Sequence, residues 1–270
     1  MNKDKILIFI PMYNCEKQIS RVLEKIKKTN EKQLLFSEII IVDNQSNDNS
    51  IGVAKESSKK CLIPVKILRN IENRGLGGSH KVAFEYAINN KFDYVIVLHG
   101  DDQGDINDII KYIENNEYTK YDSFLGSRFE KESKLINYSK FRIFGNIVFN
   151  TIISTMMKRK LTDLGSGLNM YKIKYLEKRF FMSFPNNLTF NVYMLLYGLF
   201  SKSKFDFFAL SWREDDQVSN AKLFSQSREI LSLVFKYKIN KDKLFKVVDN
   251  QYSRLTYDYD IVYNYQEKED

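Results

Sequence analysis

Residues 94–105 read Tyr94-Val95-Ile96-Val97-Leu98-His99-Gly100-Asp101-Asp102-Gln103-Gly104-Asp105. A short, continuous apolar run closed by turn formers is the signature of a strand buried on both faces. Behind it Ile106, Ile109, Ile110 and Ile113 recur at i, i+3, i+4 and i+7, which marks one face of a helix. Strand followed by amphipathic helix is the unit that builds parallel sheets with right-handed crossovers. The turn between them carries chemistry. Asp101, Asp102 and Gln103 offer hard oxygen donors of the kind Mg²⁺ or Mn²⁺ takes, usually one or two carboxylates completed by substrate phosphates. Asp102 or Asp105 could instead cap the following helix. A cap uses one acid and leaves the others and Gln103 without a role, so a metal-binding strand end is the preferred reading.

The same unit recurs upstream. Ile6 to Ile10, Ile39 to Val42 and Val65 to Leu68 are apolar strands. Helical faces follow at Ile19, Val22, Leu23 and Ile26, more weakly over 50–60, and at Val82, Ala83 and Tyr86. The fold class is therefore α/β, with a mostly parallel central sheet flanked by helices. Ligands of such sheets bind outside the carboxyl ends of the strands. Those ends are Pro11-Met12-Tyr13-Asn14, Asp43-Asn44-Gln45-Ser46-Asn47-Asp48, Asn73-Arg74-Gly75-Leu76-Gly77-Gly78 and the His99 to Asp105 turn, and all four are expected on one rim. The glycines before a helix N-terminus suit an anion, but their spacing is not the dinucleotide fingerprint. Asp43 is placed to meet a base or ribose, or simply to form a turn. The two histidines, His80 and His99, do not make a Ser-His-Asp hydrolase, and there is no zinc-type spacing of Cys and His.

The 270 residues fit one large domain, or one domain with a tail. With 43% hydrophobic residues the chain can build a sizeable core. Cys15 and Cys61 cannot make a disulfide framework, which points to a reducing compartment. No apolar run is long enough for a membrane span or a signal-peptide core, so a cytoplasmic or peripheral membrane protein is expected. The net charge of +8 with 14% aromatics admits polyanions or an anionic membrane, or merely a biased composition. The Lys and Arg are scattered and no nucleic-acid motif accompanies them, so no nucleic-acid partner is expected.

The second half is less regular. Phe124-Leu125 and Phe205 to Leu210 read as short strands. Residues 139–158 read as a helix apolar over most of its circumference. Its polar stripe is Arg142, Asn146, Asn150, Ser154 and Lys158 at i+4 spacing. Such a helix is buried in a core or dimer interface, or lies in a lipid interface. Ser227 to Tyr237 is a Lys-rich amphipathic helix, and Tyr252 to Asp270 reads as a frayed tail.

In their order these segments resemble the family 2 glycosyltransferases of GT-A fold, in the style of the polyprenyl-phosphate sugar synthases, over about residues 5 to 225. Pro11-Met12-Tyr13-Asn14 is similar to the family's P-x-Y-N. Val42 to Asp48 is similar to V-D-D-x-S-x-D, with Asn44 for the second Asp. Asn73 to Gly78 is similar to N-x-G-x-G, and His99 to Gln103 to D-x-D-x-Q, with His99 for the first Asp. Gly126-Ser127-Arg128, Asp163 to Leu168 and Ser219 to Leu223 are similar to G-S-R, D-x-x-S-G-F and a late S-K-L.

The resemblance implies a GT-A domain over 1–225 and a helical extension with tail over 226–270. It implies a nucleotide-sugar donor contacted by Pro11, Tyr13, Asn14, Asp43, Asn73, Gly75, Gly77 and Lys222. A divalent cation, Mn²⁺ or Mg²⁺, would be held by Asp101, Asp102 and Gln103. Arg128 and Lys222 would neutralise the leaving diphosphate. Thr189-Phe190-Asn191 stands where sugar-polymerising relatives carry an acidic base. Asn there favours an already ionised lipid-phosphate acceptor. Trp212 to Gln217 supplies other acids, with Asp215 the candidate base. The expected enzyme is an inverting transferase that uses a polyprenyl-phosphate or lipid-linked acceptor for cell-surface polysaccharide or glycolipid. Its expected place is the inner membrane face, as a monomer or homo-oligomer. A soluble saccharide or protein acceptor is the alternative, and a non-catalytic basic binding protein the distant one.

Overall fold

The computed structural model describes residues 4–32, 35–215, 223–245, 251–253 and 255–265. The first half alternates strictly. In order come β1 (Ile6–Met12), α1 (Ile19–Lys32), β2 (Glu38–Asp43), α2 (Ser50–Ser58), β3 (Val65–Asn70), α3 (Gly75–Asn89), β4 (Tyr94–Leu98) and α4 (Asn107–Glu114). The second half contributes β5 (Ser123–Ser127), β6 (Lys134–Ile136), α5 (Lys140–Met157), β7 (Leu168–Lys172), α6 (Ile173–Leu176), α7 (Phe190–Ser201), β8 (Phe205–Ala209), β9 (Ser211–Arg213), α8 (Leu223–Phe245) and β10 (Tyr259–Tyr265).

An eight-stranded sheet runs β10-β3-β2-β1-β4-β7-β5-β8. Strands β3, β2, β1 and β4 are mutually parallel, and β7 enters antiparallel between β4 and β5. Strand β1 lies at the centre, with Leu7, Ile8, Phe9 and Ile10 wholly buried. Side chains of this size contribute about 1.5–3 kcal/mol each when fully buried. Odd and even positions face two separate cores. One lies with α3 and α7, the other with α1 and α4. A two-stranded sheet, β6 with β9, stands apart. The chain is thus the expected α/β fold with a large central sheet flanked by helices.

Helix α5 inverts the usual amphipathic arrangement. Its polar stripe faces the protein: Asn150 Nδ2 donates to Thr162 O at 2.7 Å, Ser154 Oγ to Leu161 O at 3.1 Å and Asn146 Nδ2 to Tyr138 OH at 3.1 Å, while Arg142 pairs with Glu214. Its apolar side faces out, with Phe141 81% and Phe144 67% exposed and Ile147, Val148 and Ile152 also exposed. Ile153 is buried in the core, with Phe149, Met156 and Met157 packed against it, so core packing explains only part of this helix. Helix α8 packs on α5 and α7 and exposes Leu231, Phe235 and Ile239. No helix among the described residues is long and apolar enough to cross a membrane.

The expected frayed tail is corrected by β10, which pairs antiparallel with β3 from Tyr259–Asn70 to Tyr265–Val65. Tyr259, Tyr263 and Tyr265 are half-buried and Asp260, Ile261 and Asn264 exposed, the pattern of an edge strand, with a register shift between Ile261 and Tyr263. The segment before it is anchored by Lys81, which is fully buried on α3. Lys81 Nζ donates to Phe184 O at 2.6 Å, Asn186 Oδ1 at 2.8 Å and Tyr257 OH at 2.8 Å, so all three ammonium protons are placed. Burial pushes the Lys81 pKa down to about 7.

Candidate active site

A cleft of about 930 Å³ opens at the carboxyl ends of β1 to β4. Pro11 to Gln18, Asn44 and Asp48, Asn73 to Ser79, and His99 to Gln103 each contribute lining residues, so the four rims do converge. Asn187 and Leu188, from the loop before α7, close one side.

Three non-glycine residues at these strand ends are left-handed: Asn14 (φ 53°), Gln45 (φ 64°) and Asp102 (φ 60°). Such backbone costs of order 1–3 kcal/mol per residue and persists only where side-chain bonds hold it. Asn14 N–H donates to Ser46 Oγ at 3.0 Å, and Asn14 Oδ1 accepts from Asn47 N–H at 2.8 Å. Asn44 donates to Asn73 Oδ1 at 2.8 Å while its Oδ1 accepts from Asn70 Nδ2 at 3.0 Å and Arg74 N–H at 2.9 Å. A carboxylate has no proton to donate, so an amide, not the second Asp of the resembled motif, fits this position. Asp43 is fully buried beside it, with its carboxylate accepting from Ser46 N–H and lying 3.5 Å from Arg69 Nε. Burial raises the Asp43 pKa, and the hydrogen bonds from Ser46 and the Arg69 charge only partly oppose this.

The glycines of the third rim are needed for close approach. A Cβ on Gly75, whose φ is +67°, would stand 2.5 Å from Asn186 O, and one on Gly77 would stand 2.5 Å from Pro185 O. Gly77 N–H donates to Asn186 O at 2.8 Å. Gly75 lines the cleft, whereas Gly77 seats the 185–187 loop behind it.

At the fourth rim Asp101 and Gln103 line the cleft and Asp102 does not. The left-handed turn sends the Asp102 carboxylate, 1% exposed, into a group of cations. Arg21 Nε lies at 2.7 Å, Lys25 Nζ at 2.8 Å, and Arg213 pairs with the same group. The Asp102 carboxylate, expected among the metal ligands, is thus turned away from the cleft and committed to these cations. Asp105 caps α4 by accepting from Asn107 N–H at 3.0 Å. His99 faces the cleft, and its buried Nε2 has no hydrogen-bond partner. Burial lowers the His99 pKa, against the Asp101 charge, and favours the neutral imidazole. His99 N–H donates to Gly167 O at 3.0 Å, and a Cβ on Gly167 would come within 3.0 Å of the His99 ring. That contact gives the Ser166-Gly167 segment its place.

Two further expected residues lie away from the cleft. Arg128 forms a bidentate pair with Asp163, at 2.7 Å through Nε and 2.8 Å through Nη2, and also donates to Gly165 O. Burial opposes its charge, yet the Asp163 carboxylate outweighs burial and holds the Arg128 pKa above its ordinary value. Its Nε and Nη2 are committed to Asp163 and Gly165, and it is not among the residues lining the cleft. Asp215 accepts from Asn137 Nδ2 at 2.6 Å and lies 3.6 Å from Arg213; it does not line the cleft either. Lys222 and Asp216 fall outside the described residues. Asn191, the second residue of α7, has its Oδ1 buried and unpartnered, and no carboxylate stands there. Sequence reasoning missed Lys17, the one cation lining the cleft among the described residues. Its signal was its place in the loop after Asn14, ahead of the α1 face. It missed Asn187 and Leu188 too, which no motif marked.

The sequence profile described as "Glycosyl transferase family 2" matches residues 7–180. An uncharacterised protein of Methanocaldococcus jannaschii is 30% identical over 178 residues, 66% of this chain and 69% of that one. The UDP-N-acetylglucosamine–dolichyl-phosphate N-acetylglucosaminyltransferase of Methanococcus voltae is 26% identical over 180 residues, 62% of this chain and 70% of that one. Among solved structures, glucosyl-3-phosphoglycerate synthase from Mycobacterium tuberculosis, in complex with Mn²⁺, uridine diphosphate and glucosyl-3-phosphoglycerate, superposes with a TM-score of 0.61 at 14% identity, covering 87% of this chain and 80% of that one. With the profile spanning the sheet core and all four cleft rims, the chain belongs to glycosyl transferase family 2 and is a GT-A glycosyltransferase.

Proposed function

We propose that this enzyme transfers a sugar, with inversion, from a nucleotide-sugar to the phosphate of a polyprenyl or other lipid-linked acceptor at the cytoplasmic membrane face. The observation that carries the reading is the convergence of four strand ends on one cleft, with Asp101 and Gln103 facing it. One carboxylate, one amide oxygen and His99, whose Nε2 has no hydrogen-bond partner, fit a divalent ion. Among the described residues no group of three or more His, Cys, Asp or Glu could hold a metal, so the donor diphosphate would complete the shell. When bound, the cation supplies charge stabilisation as the diphosphate departs. The Mycobacterium tuberculosis neighbour solved with uridine diphosphate and Mn²⁺ supports this donor class.

The chain's own groups do the rest. Asn44 and Asn73 shape the floor where the nucleoside would lie, with Asp43 behind it, and Lys17 stands at the mouth as a counter-charge to phosphate. Asn191 in place of an acid suits an acceptor already ionised, which attacks without a general base and inverts the sugar carbon by single displacement. The dolichyl-phosphate named for the Methanococcus voltae relative supports a lipid phosphate. So does α5, whose outward apolar face lies between Lys140 and Lys158, the arrangement of a helix seated in an anionic interface.

The test is release of nucleoside diphosphate from UDP-, GDP- and CDP-sugars with Mn²⁺, given either polyprenyl phosphate or a soluble saccharide. Release that requires the lipid phosphate is expected. Release with saccharide alone would replace this acceptor by the soluble alternative.

A further inference from the structure

Between the two cleft-facing residues Asp101 and Gln103, Asp102 points the opposite way into Arg21 and Lys25 of α1 and Arg213 of β9. Arg213 holds more than the carboxylate. Its Nε donates to Asp102 O at 2.9 Å, its backbone N–H donates to Gln103 O at 3.0 Å, and the neighbouring Trp212 bridges Gly104. Every backbone step from Asp102 to Gly104 is therefore pinned to β9. We infer that Asp102 and Arg213 form an ionic lock that positions Asp101 and Gln103 for the cation and diphosphate, with Asp102 a positioning residue rather than a ligand. The inference rests on the donor reading proposed above.

The geometry gives the lock a specific purpose. Asp102 is held left-handed, at φ 60°, while Asp101 and Gln103 on either side of it both line the cleft. Charge holds this turn in place. Asp102 is 1% exposed, whereas the side chains of Arg21, Lys25 and Arg213 are 39%, 27% and 28% exposed. Neutralising the acid leaves cations that water can still solvate, so Asp102→Asn is expected to fold. The lock also reaches α5, because Glu214, next to Arg213, pairs with Arg142. The loop facing the donor and the helix with the outward apolar face thus hang on Arg213, the last residue of β9, and on Glu214, which follows it.

The experiment is calorimetric binding of UDP, GDP and CDP to the full chain with and without Mn²⁺, for the wild type, Asp102→Asn, Arg213→Gln and the double variant. For the nucleotide the wild type prefers, the affinity gained on adding Mn²⁺ should fall at least about tenfold in each single variant. Metal-free affinity should stay within about twofold, and the double variant should lose less than the two single losses combined, because both residues hold the same turn. An undiminished Mn²⁺ gain in Asp102→Asn overturns the lock. So does an equal loss with and without Mn²⁺, which marks a general structural role. A wild type that gains nothing from Mn²⁺ with any of the three overturns the donor reading, and the lock with it. Arg213→Lys, which keeps the charge but cannot donate to both Asp102 O and the carboxylate as Arg does, repeats the test should Asp102→Asn not fold.

Discussion

At Asn44 one atom decides the residue: the side chain must donate to Asn73 and accept from Asn70 in the same conformation. Asp43 next to it illustrates the opposite demand, a charge kept where burial disfavours it. Its pKa is raised, so the folded state holds the proton more tightly than the unfolded chain does. The stability it contributes is present below the unfolded value of 3.8 and is lost as pH rises through the folded value. Asp43→Asn should therefore raise the ligand-free Tm at pH 7 by about 2–4 °C. That gain should shrink as the pH is lowered toward the ordinary aspartate value. The same variant should weaken nucleotide binding by about tenfold if Asp43 serves the nucleoside. Thermal scans across pH and a binding titration check both, and an unchanged Tm at pH 7 would show that the carboxylate is not under strain. The individual acids of the fourth rim were only half legible. Adjacent Asp101 and Asp102 have identical chemistry, and which one faces the cleft depends on a left-handed turn that no neighbouring glycine at that position announces. The pairing of Arg128 with Asp163 was not legible for a related reason, since the two are distant in sequence.

Among the elements, the central parallel strands were legible because burial on both faces demands continuous apolar runs, as in Ile6 to Ile10 and Tyr94 to Leu98. Strand β7 was not, because Asn169 interrupts its pattern. Its amide is buried but satisfied, donating to Ser166 O at 3.0 Å. Helix α5 was legible as a helix and ambiguous in its surroundings, and the direction of its polar stripe resolves part of that ambiguity. Its inward polar bonds fix the rotation of the helix, so the apolar face cannot turn inward without stranding Asn150 and Ser154. Phe141→Glu with Phe144→Glu should leave the Tm within about 2 °C, since exposed sites of this kind rarely shift stability by more than half a kcal/mol. The same pair should abolish flotation with vesicles containing anionic lipid, while the wild type floats. A wild type that stays in the lower fraction would remove the membrane from the proposal. Activity on a soluble donor, measured as slow hydrolysis, should be unaffected by the pair.

For the molecule as a whole, the sheet is finished by a strand from the far end of the chain. Ending the chain at Phe245 would remove β10 together with Tyr252 and Tyr257, leaving Lys81 without one acceptor and two aromatic faces. A buried ammonium that loses a partner is costly, and Tm should fall by at least about 6 °C. Tyr257→Phe should reproduce part of that fall, and a truncated chain melting with the wild type would show that β10 is ornamental. The overall architecture was otherwise open to reading, because alternating strands and helices leave few topologies. The tail was opaque, since its role depends on an edge that only the assembled sheet presents. That edge has a consequence for biogenesis. While the ribosome is still making the chain, β3 has its inner neighbour but not its outer one. Its unpaired amides and carbonyls form a template on which another nascent chain could add a strand. The nascent protein is most vulnerable to aggregation in the interval between completion of β3 and emergence of β10. A slow or truncated translation product should accumulate in inclusion bodies even when its catalytic cleft is already formed.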